Sequence, residues 1–165
     1  MTDHSSRDYV SENCNGTIPV CFSDAHNIDG HRYNPERFDE DLSDRLSGRS
    51  VLVVEDEALV AYELELELVD CRAIPVGPAT TVSVAMELAE TKEIDAAILD
   101  IDLNGRDVYP LADKLRARGV PFVFHTGHGT LIDLEDTYPG IPVCIKPCGA
   151  DDVLGSLASV MRRSQ

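Results

Sequence analysis

The chain has 165 residues, 43% of them hydrophobic and 27% charged, with a net charge of −16, which suits one domain long enough to bury a core. No apolar run approaches the ~20 residues of a membrane helix and the N-terminus, MTDHSSRDYV, lacks the basic-then-apolar order of a secretory leader, so a cytoplasmic chain that does not enter membranes is expected. The charge disfavours nucleic acid and anionic lipid, whose phosphates it would repel, and suits a basic partner or bound divalent cations.

Residues 1–48 carry ten acids against four arginines and are mostly aperiodic, the composition of a segment that cannot bury enough surface to order itself. They are read as a mostly disordered acidic extension, with one exception. NPERFDEDLSDRLSG places Asn34 as a helix cap, Pro35 at the first helical position and Gly48 as a stop. Phe38, Leu42 and Leu46 fall four apart. A short amphipathic helix is therefore expected near 35–47, and a folded domain over 49–165.

From Ser50 onward short apolar runs recur at 51–54, weakly at 73–76, and at 96–99, 122–124 and 141–145. Helix-length segments separate them: 58–69, 82–89, 108–118 and 151–161, with a short, poorly marked one near 131–136. Strands without apolar/polar alternation are covered on both faces, which predicts a parallel sheet between two layers of helices. ELELEL, from Glu63, alternates as a half-exposed strand would. Val60, Leu64 and Leu68 also satisfy a spacing of four, Glu and Leu favour helices, and a parallel neighbour needs a crossover, so helix is the reading. Asp107 can cap the helix that Gly119 ends, and Asp151 and Asp152 suit a helix N-terminus. The five cysteines, odd in number and irregularly spaced, read as reduced thiols.

In open α/β sheets ligands bind outside the carboxyl ends of the strands. Glu55 and Asp56 follow VLVV, Asp100 follows AAIL, Thr126 follows FVFH and Lys146 follows PVCI. In a parallel sheet all of these share one edge. Hard oxygen ligands suit Mg²⁺, a carboxylate beside it can form an aspartyl phosphate, and phosphoryl transfer needs chiefly positioning and neutralised charge. Three carboxylates at the end of a buried run (Glu55, Asp56 and Glu57) are accordingly read as part of a cation site rather than as a wet turn.

VLVVEDE, AAILDIDLNG, PFVFHTG and VCIKP, in that order, resemble the receiver domain of two-component response regulators over residues 50–161. The resemblance implies a five-stranded, doubly wound parallel sheet in the order 2-1-3-4-5, a flavodoxin-like fold. It implies Asp100 as phosphoacceptor, Mg²⁺ held by Glu55, Asp56, Asp100 and the backbone carbonyl of Asp102, Thr126 as switch hydroxyl, Lys146 as phosphate-pairing lysine, and a cis Lys146–Pro147 bond. Three departures stand out. Val143 occupies the place of the usual switch aromatic. PFVFHTG resembles a subgroup motif, Pro-Phe-x-Phe-Ala-Thr-Gly, with His125 for its Ala. Cys148 stands where Phe usually follows Lys-Pro. Only four residues follow Met161, so a stand-alone receiver is expected, a phosphoacceptor signalling protein rather than an enzyme in the ordinary sense. The implied partners are a sensor histidine kinase, by association with the subgroup one of the HWE-related group, and a downstream protein or phosphotransferase.

Three other readings compete. A degenerate receiver would bind partners without being phosphorylated. AAILDID also resembles the first motif of haloacid-dehalogenase-type phosphatases, which would further need an acid pair ending a later strand; Asp151 and Asp152 follow Lys146 too closely. A zinc module could draw on His125, His128, Cys144 and Cys148.

Overall fold

The computed structural model describes residues 20–21, 40–127, 134 and 136–161. In chain order the elements are β1 (Val20–Cys21), α1 (Glu40–Leu46), β2 (Ser50–Val54), α2 (Ala58–Asp70), β3 (Ile74–Ala79), α3 (Val82–Thr91), β4 (Ala96–Leu99), α4 (Tyr109–Ala117), β5 (Phe122–Thr126), β6 (Val143–Ile145) and α5 (Ala150–Met161). All pairings in the sheet are parallel, in the order β1-β6-β5-β4-β2-β3. Counted from Ser50, this is the expected five-stranded order 2-1-3-4-5. The sixth strand is an addition: Val20 and Cys21 register with Val143 and Cys144 on the open edge of β6. An edge strand exposes unpaired backbone groups, and a segment of the extension satisfies some of them here.

Two apolar layers close the sheet. Leu52, Val54, Leu99, Phe122 and Phe124 face α3 and α4, in a cluster with Leu111, Leu115 and Tyr138. Val51, Val53, Ile98 and Val123 face α2 and α5, in a cluster with Leu64, Leu68, Val153, Leu154 and Leu157. Successive strand residues alternate between the two layers, so β2, β4 and β5 carry unbroken apolar runs, at roughly 1.5–3 kcal/mol per fully buried side chain.

ELELEL is helical, and burial shows why the period-two reading fails. Leu64 and Leu68 are buried with Ala61 beneath α2, whereas Leu66 between them is exposed. A strand would have put all three leucines on one face. Helix α1 joins the α2/α5 layer: Leu46 is fully buried in it and Leu42 packs against it, with α1 resting on α5. The expected cap at Asn34 and the contact of Phe38 lie outside the described residues, as does most of the segment near 131–136, of which Leu134, Asp136 and Thr137 are helical.

Two local devices shape the edge where the strands end. Gly77 has φ +123°, and a Cβ there would meet the Val53 carbonyl oxygen at 2.8 Å. Its missing side chain lets β3 approach β2 and shift register, so that Val54 faces Ala79 and the Glu55 N–H donates to the Ala79 carbonyl at 3.0 Å. The loop after Asp100 is a miniature hairpin. A single antiparallel bridge joins Asp102 to Asp107, and Asn104 and Gly105 at the tip have φ 56° and 79°, the left-handed pair of an Asn-Gly turn. Asp107 therefore serves this bridge rather than capping α4, whose N-cap is Val108 with no side-chain bond. Cis bonds precede Pro78 and Pro147, the second as the resemblance implies.

Candidate functional site

Glu55 directly follows β2, Asp100 directly follows β4, Thr126 is the last residue of β5, and Lys146 directly follows β6. Parallel pairing of these strands brings the four ends to one edge. The Asp100 N–H donates to the Val54 carbonyl at 2.9 Å, and the Lys146 N–H to that of Thr126 at 2.8 Å. Backbone bonds thus hold the acid beside Glu55 and the lysine beside the threonine.

The side chains converge as the sequence predicts. Lys146 Nζ donates to Asp100 Oδ2 at 2.7 Å and to Glu55 Oε1 at 2.9 Å, with Glu55 Oε2 also at 2.8 Å. Glu55 is 1% exposed, and Asp100 and Thr126 are buried too. Carboxylate oxygens of Glu55, Asp56 and Asp100 lie within 4.8 Å of one another. Asp102 is exposed in the hairpin; its N–H donates to Asp100 Oδ1 at 3.3 Å, and its own side chain accepts from Gly105 N at 2.6 Å. Glu57 adds a third carboxylate to Lys146 at 3.2 Å, a pairing that sequence could place only as part of an acidic run.

One ammonium is shared among three carboxylates, and the electrostatics follow. Burial alone would pull the Lys146 pKa down, but hydrogen bonds and charge from Asp100 and Glu55 outweigh it and hold the ammonium above the usual lysine range. Glu55 is shifted upward, chiefly by burial and against the bond from Lys146, with the nearby Asp100 charge adding to the rise. The two directions agree physically: the lysine gains several anionic neighbours, while each acid has only part of one cation. His125, 3% exposed, lies behind Glu55 with Nδ1 3.9 Å from Oε2. Its burial, and then the Lys146 charge, hold its pKa down.

A cluster with this excess of negative charge suits a cation, and its all-oxygen donor set fits a hard divalent ion such as Mg²⁺. The other two chemistries fare worse. Among the described residues, the three acids are the one His/Cys/Asp/Glu group close enough to share a metal; neither His125 nor a cysteine belongs to it, and His128 lies outside the described residues. Asp151 and Asp152 occupy the first turn of α5 rather than the end of a strand, so the phosphatase's last acid pair is missing there.

No family model matches the chain. The solution structure of SdrG from Sphingomonas melonis Fr1 is 40% identical, covers 71% of this chain and 98% of its own, and superimposes with a TM-score of 0.60. A response regulator receiver protein from Sinorhizobium medicae WSM419 has the same fold at 21% identity, covering 73% of this chain and 99% of its own, with a TM-score of 0.65. Heme response regulator HssR of Staphylococcus aureus is 28% identical over 119 residues, which are 68% of this chain and 51% of that protein.

The chain belongs to the response regulator receiver domains.

It spans about half the length of the curated relatives it matches. Receivers are signalling modules, and the strand-end cluster lies where the fold places ligands. Among the described residues of this receiver, no helix is long and apolar enough to cross a membrane.

Proposed function

We propose that this receiver accepts a phosphoryl group from a sensor histidine kinase onto Asp100 and signals, or relays the group, by protein contact. The observation that carries the reading is the position of Asp100: buried at a strand end, with Lys146 at 2.7 Å and two further acids within 4.8 Å. An Asp100 carboxylate oxygen attacks phosphorus, a P–O bond forms, and the donor's P–N bond breaks with its electron pair returning to the imidazole. Lys146 then pairs with the phosphoryl oxygens and the Thr126 hydroxyl donates to one of them. Mg²⁺ would be held by Glu55, Asp56, Asp100 and the Asp102 carbonyl. The chemistry it supplies when bound is neutralisation of charge on the transferring group.

The outer face of α2 supports a protein partner. Leu59, Tyr62, Leu66 and Val69 are exposed and recur every three or four residues, among Glu63, Glu65, Glu67 and Asp70. An apolar stripe rimmed by acids fits a helix with basic flanks; the PFVFHTG resemblance points to an HWE-related kinase as its owner. The net charge speaks against nucleic acid and anionic membrane as partners, and a cytoplasmic location follows from the kinase reading. Residues 1–48 form an acidic extension to the domain, tied to it at least through β1 and α1.

The test is Mg²⁺-dependent labelling by acetyl phosphate, read on a phosphate-affinity gel beside Asp100→Asn. A shifted band present in the wild type and absent from the mutant is expected. Equal labelling of Asp100→Asn would overturn the acceptor assignment. No band, together with no spectral response to fluoroberyllate, would instead favour a receiver that binds partners without phosphorylation, a reading that Val143 in place of the switch aromatic supports.

A further inference from the structure

His125 follows the apolar run of β5, one residue before Thr126, where the resembled motif has Ala. It is 3% exposed, and both of its ring nitrogens are buried without a hydrogen-bond partner. Glu55 has a matching deficit. Its Oε1 accepts from Lys146 Nζ at 2.9 Å and from the Glu57 N–H at 3.2 Å, whereas its Oε2 is buried with no hydrogen bond. Lys146 Nζ does lie 2.8 Å from Oε2. An ammonium has three N–H groups, however, and these go to Glu55 Oε1, Glu57 and Asp100. The imidazole faces the oxygen left over, with Nδ1 3.9 Å from Oε2. Buried polar atoms without partners are costly and uncommon, and here two of them stand opposite each other, about 1 Å short of a hydrogen bond. The carboxylate fixes the tautomer, because a ring lone pair turned toward Oε2 would be repelled: the proton sits on Nδ1 and the lone pair on Nε2.

We propose that His125 is a positioning residue for the cation site: its Nδ1–H donates to Glu55 Oε2 and holds that carboxylate in the orientation in which, with Asp56 and Asp100, it takes Mg²⁺. The inference rests on the reading of these three acids as Mg²⁺ ligands. A carboxylate bonded at one oxygen turns easily about its terminal torsion, whose minima are broad; bonded at both, it is fixed. Lys146 is a cation and is repelled by a second one, so its hold on Oε1 loosens when the site is filled. The imidazole N–H is then the donor that keeps Glu55 in place. Either charge state of the ring can carry a proton on Nδ1, so the donation does not turn on its titration. Hydrogen-bond partners of metal-ligating groups are typically worth about 10- to 100-fold in metal affinity.

Variants of the full ¹⁵N-labelled chain separate the donor from the ring. Asn carries its side-chain N–H₂ close to the place of Nδ1, Gln close to that of Nε2, and Phe keeps the ring without a donor. Mg²⁺ is titrated into each, and Kd is read from the amide shifts of Asp56 and Ile101. His125→Phe and His125→Gln are expected to bind Mg²⁺ about tenfold more weakly than wild type, and His125→Asn within about threefold of it. His125→Ala, the residue of the resembled motif, takes the place of the Phe variant should that one fail to fold. The ring ¹⁵N spectrum of the wild type, with and without Mg²⁺, should show a proton-bearing Nδ1. A bare Nδ1, undiminished Mg²⁺ affinity in the Phe and Ala variants, or rescue by Gln as complete as by Asn would each overturn the proposal. A wild type whose amides do not respond to Mg²⁺ would overturn the cation reading and this inference with it, whereas a wild type that binds and a Phe variant that binds equally would remove His125 alone.

Discussion

Lys146→Met isolates the electrostatic argument, because methionine keeps the apolar stem and removes the charge. In the wild type one ammonium serves Glu55 and Asp100, whose side chains are 1% and 8% exposed, and is itself 14% exposed. Without it the two buried carboxylates face each other and Asp56 within 4.8 Å, a repulsion of about 3 kcal/mol per pair at an effective dielectric near 20. Removing one partner of a buried ion pair typically costs about 3–5 kcal/mol. Glu57, 63% exposed, adds little to the total because solvent screens it. Lys146→Met should therefore lose about 3–5 kcal/mol in metal-free buffer, a large part of the roughly 5–15 kcal/mol a domain has. Its Tm should fall by roughly 12–20 °C. Added Mg²⁺ should recover more stability in the mutant than in the wild type, where about 1 kcal/mol is expected at fivefold Kd. Urea unfolding of both proteins, in chelator and in Mg²⁺, reads all of this. A mutant within about 1 kcal/mol of wild type in chelator would refute the view that one lysine compensates the acidic cluster.

Three further outcomes are expected. Tyr138 donates to Asp113 Oδ1 at 3.2 Å, and burial with the Asp113 charge pushes its pKa from 10.0 to about 12. The folded form thus holds its proton where the unfolded form has lost it. The contribution is complete below pH 10, declines as pH rises toward 12, and amounts to roughly 2–3 kcal/mol, so Tyr138→Phe should flatten the alkaline limb of a stability–pH curve. Gly77→Ala puts a Cβ 2.8 Å from the Val53 carbonyl oxygen at φ +123°; it should cost about 3 kcal/mol in urea unfolding and weaken Mg²⁺ binding by loosening the strand that holds Glu55. Leu46→Ala should cost about 2–4 kcal/mol because the residue is buried in the α2/α5 layer, and a loss below about 0.5 kcal/mol would mean that α1 is no part of the core.

The convergence of Glu55, Asp56, Asp100, Thr126 and Lys146 on one edge was legible in the amino-acid sequence for a local reason, whereas the strand order followed only from the resemblance to receiver domains. A strand covered on both faces is an unbroken apolar run, and the first polar residue after it marks the sheet edge whatever the rest of the chain does. Once the crossovers make the strands parallel, those residues share one edge without further information. Helix α2 was legible through its spacing of four, but which leucine of ELELEL stays outside was decided by packing, since only the position of the sheet and α5 fixes the buried face. The same holds for Asp107, a plausible cap by type that the hairpin after Asp100 claims for a backbone bridge. β1 was passed over although IPVCF at 18–22 is a short apolar run, because that run lies alone in an otherwise polar, aperiodic segment and pairs only where β6 leaves an edge open. The sharing of Lys146 among Glu55, Asp100 and Glu57, and the solitude of His125 behind them, belong to the tertiary structure alone. They depend on distances of a few ångströms between residues up to 91 positions apart, which no local pattern encodes.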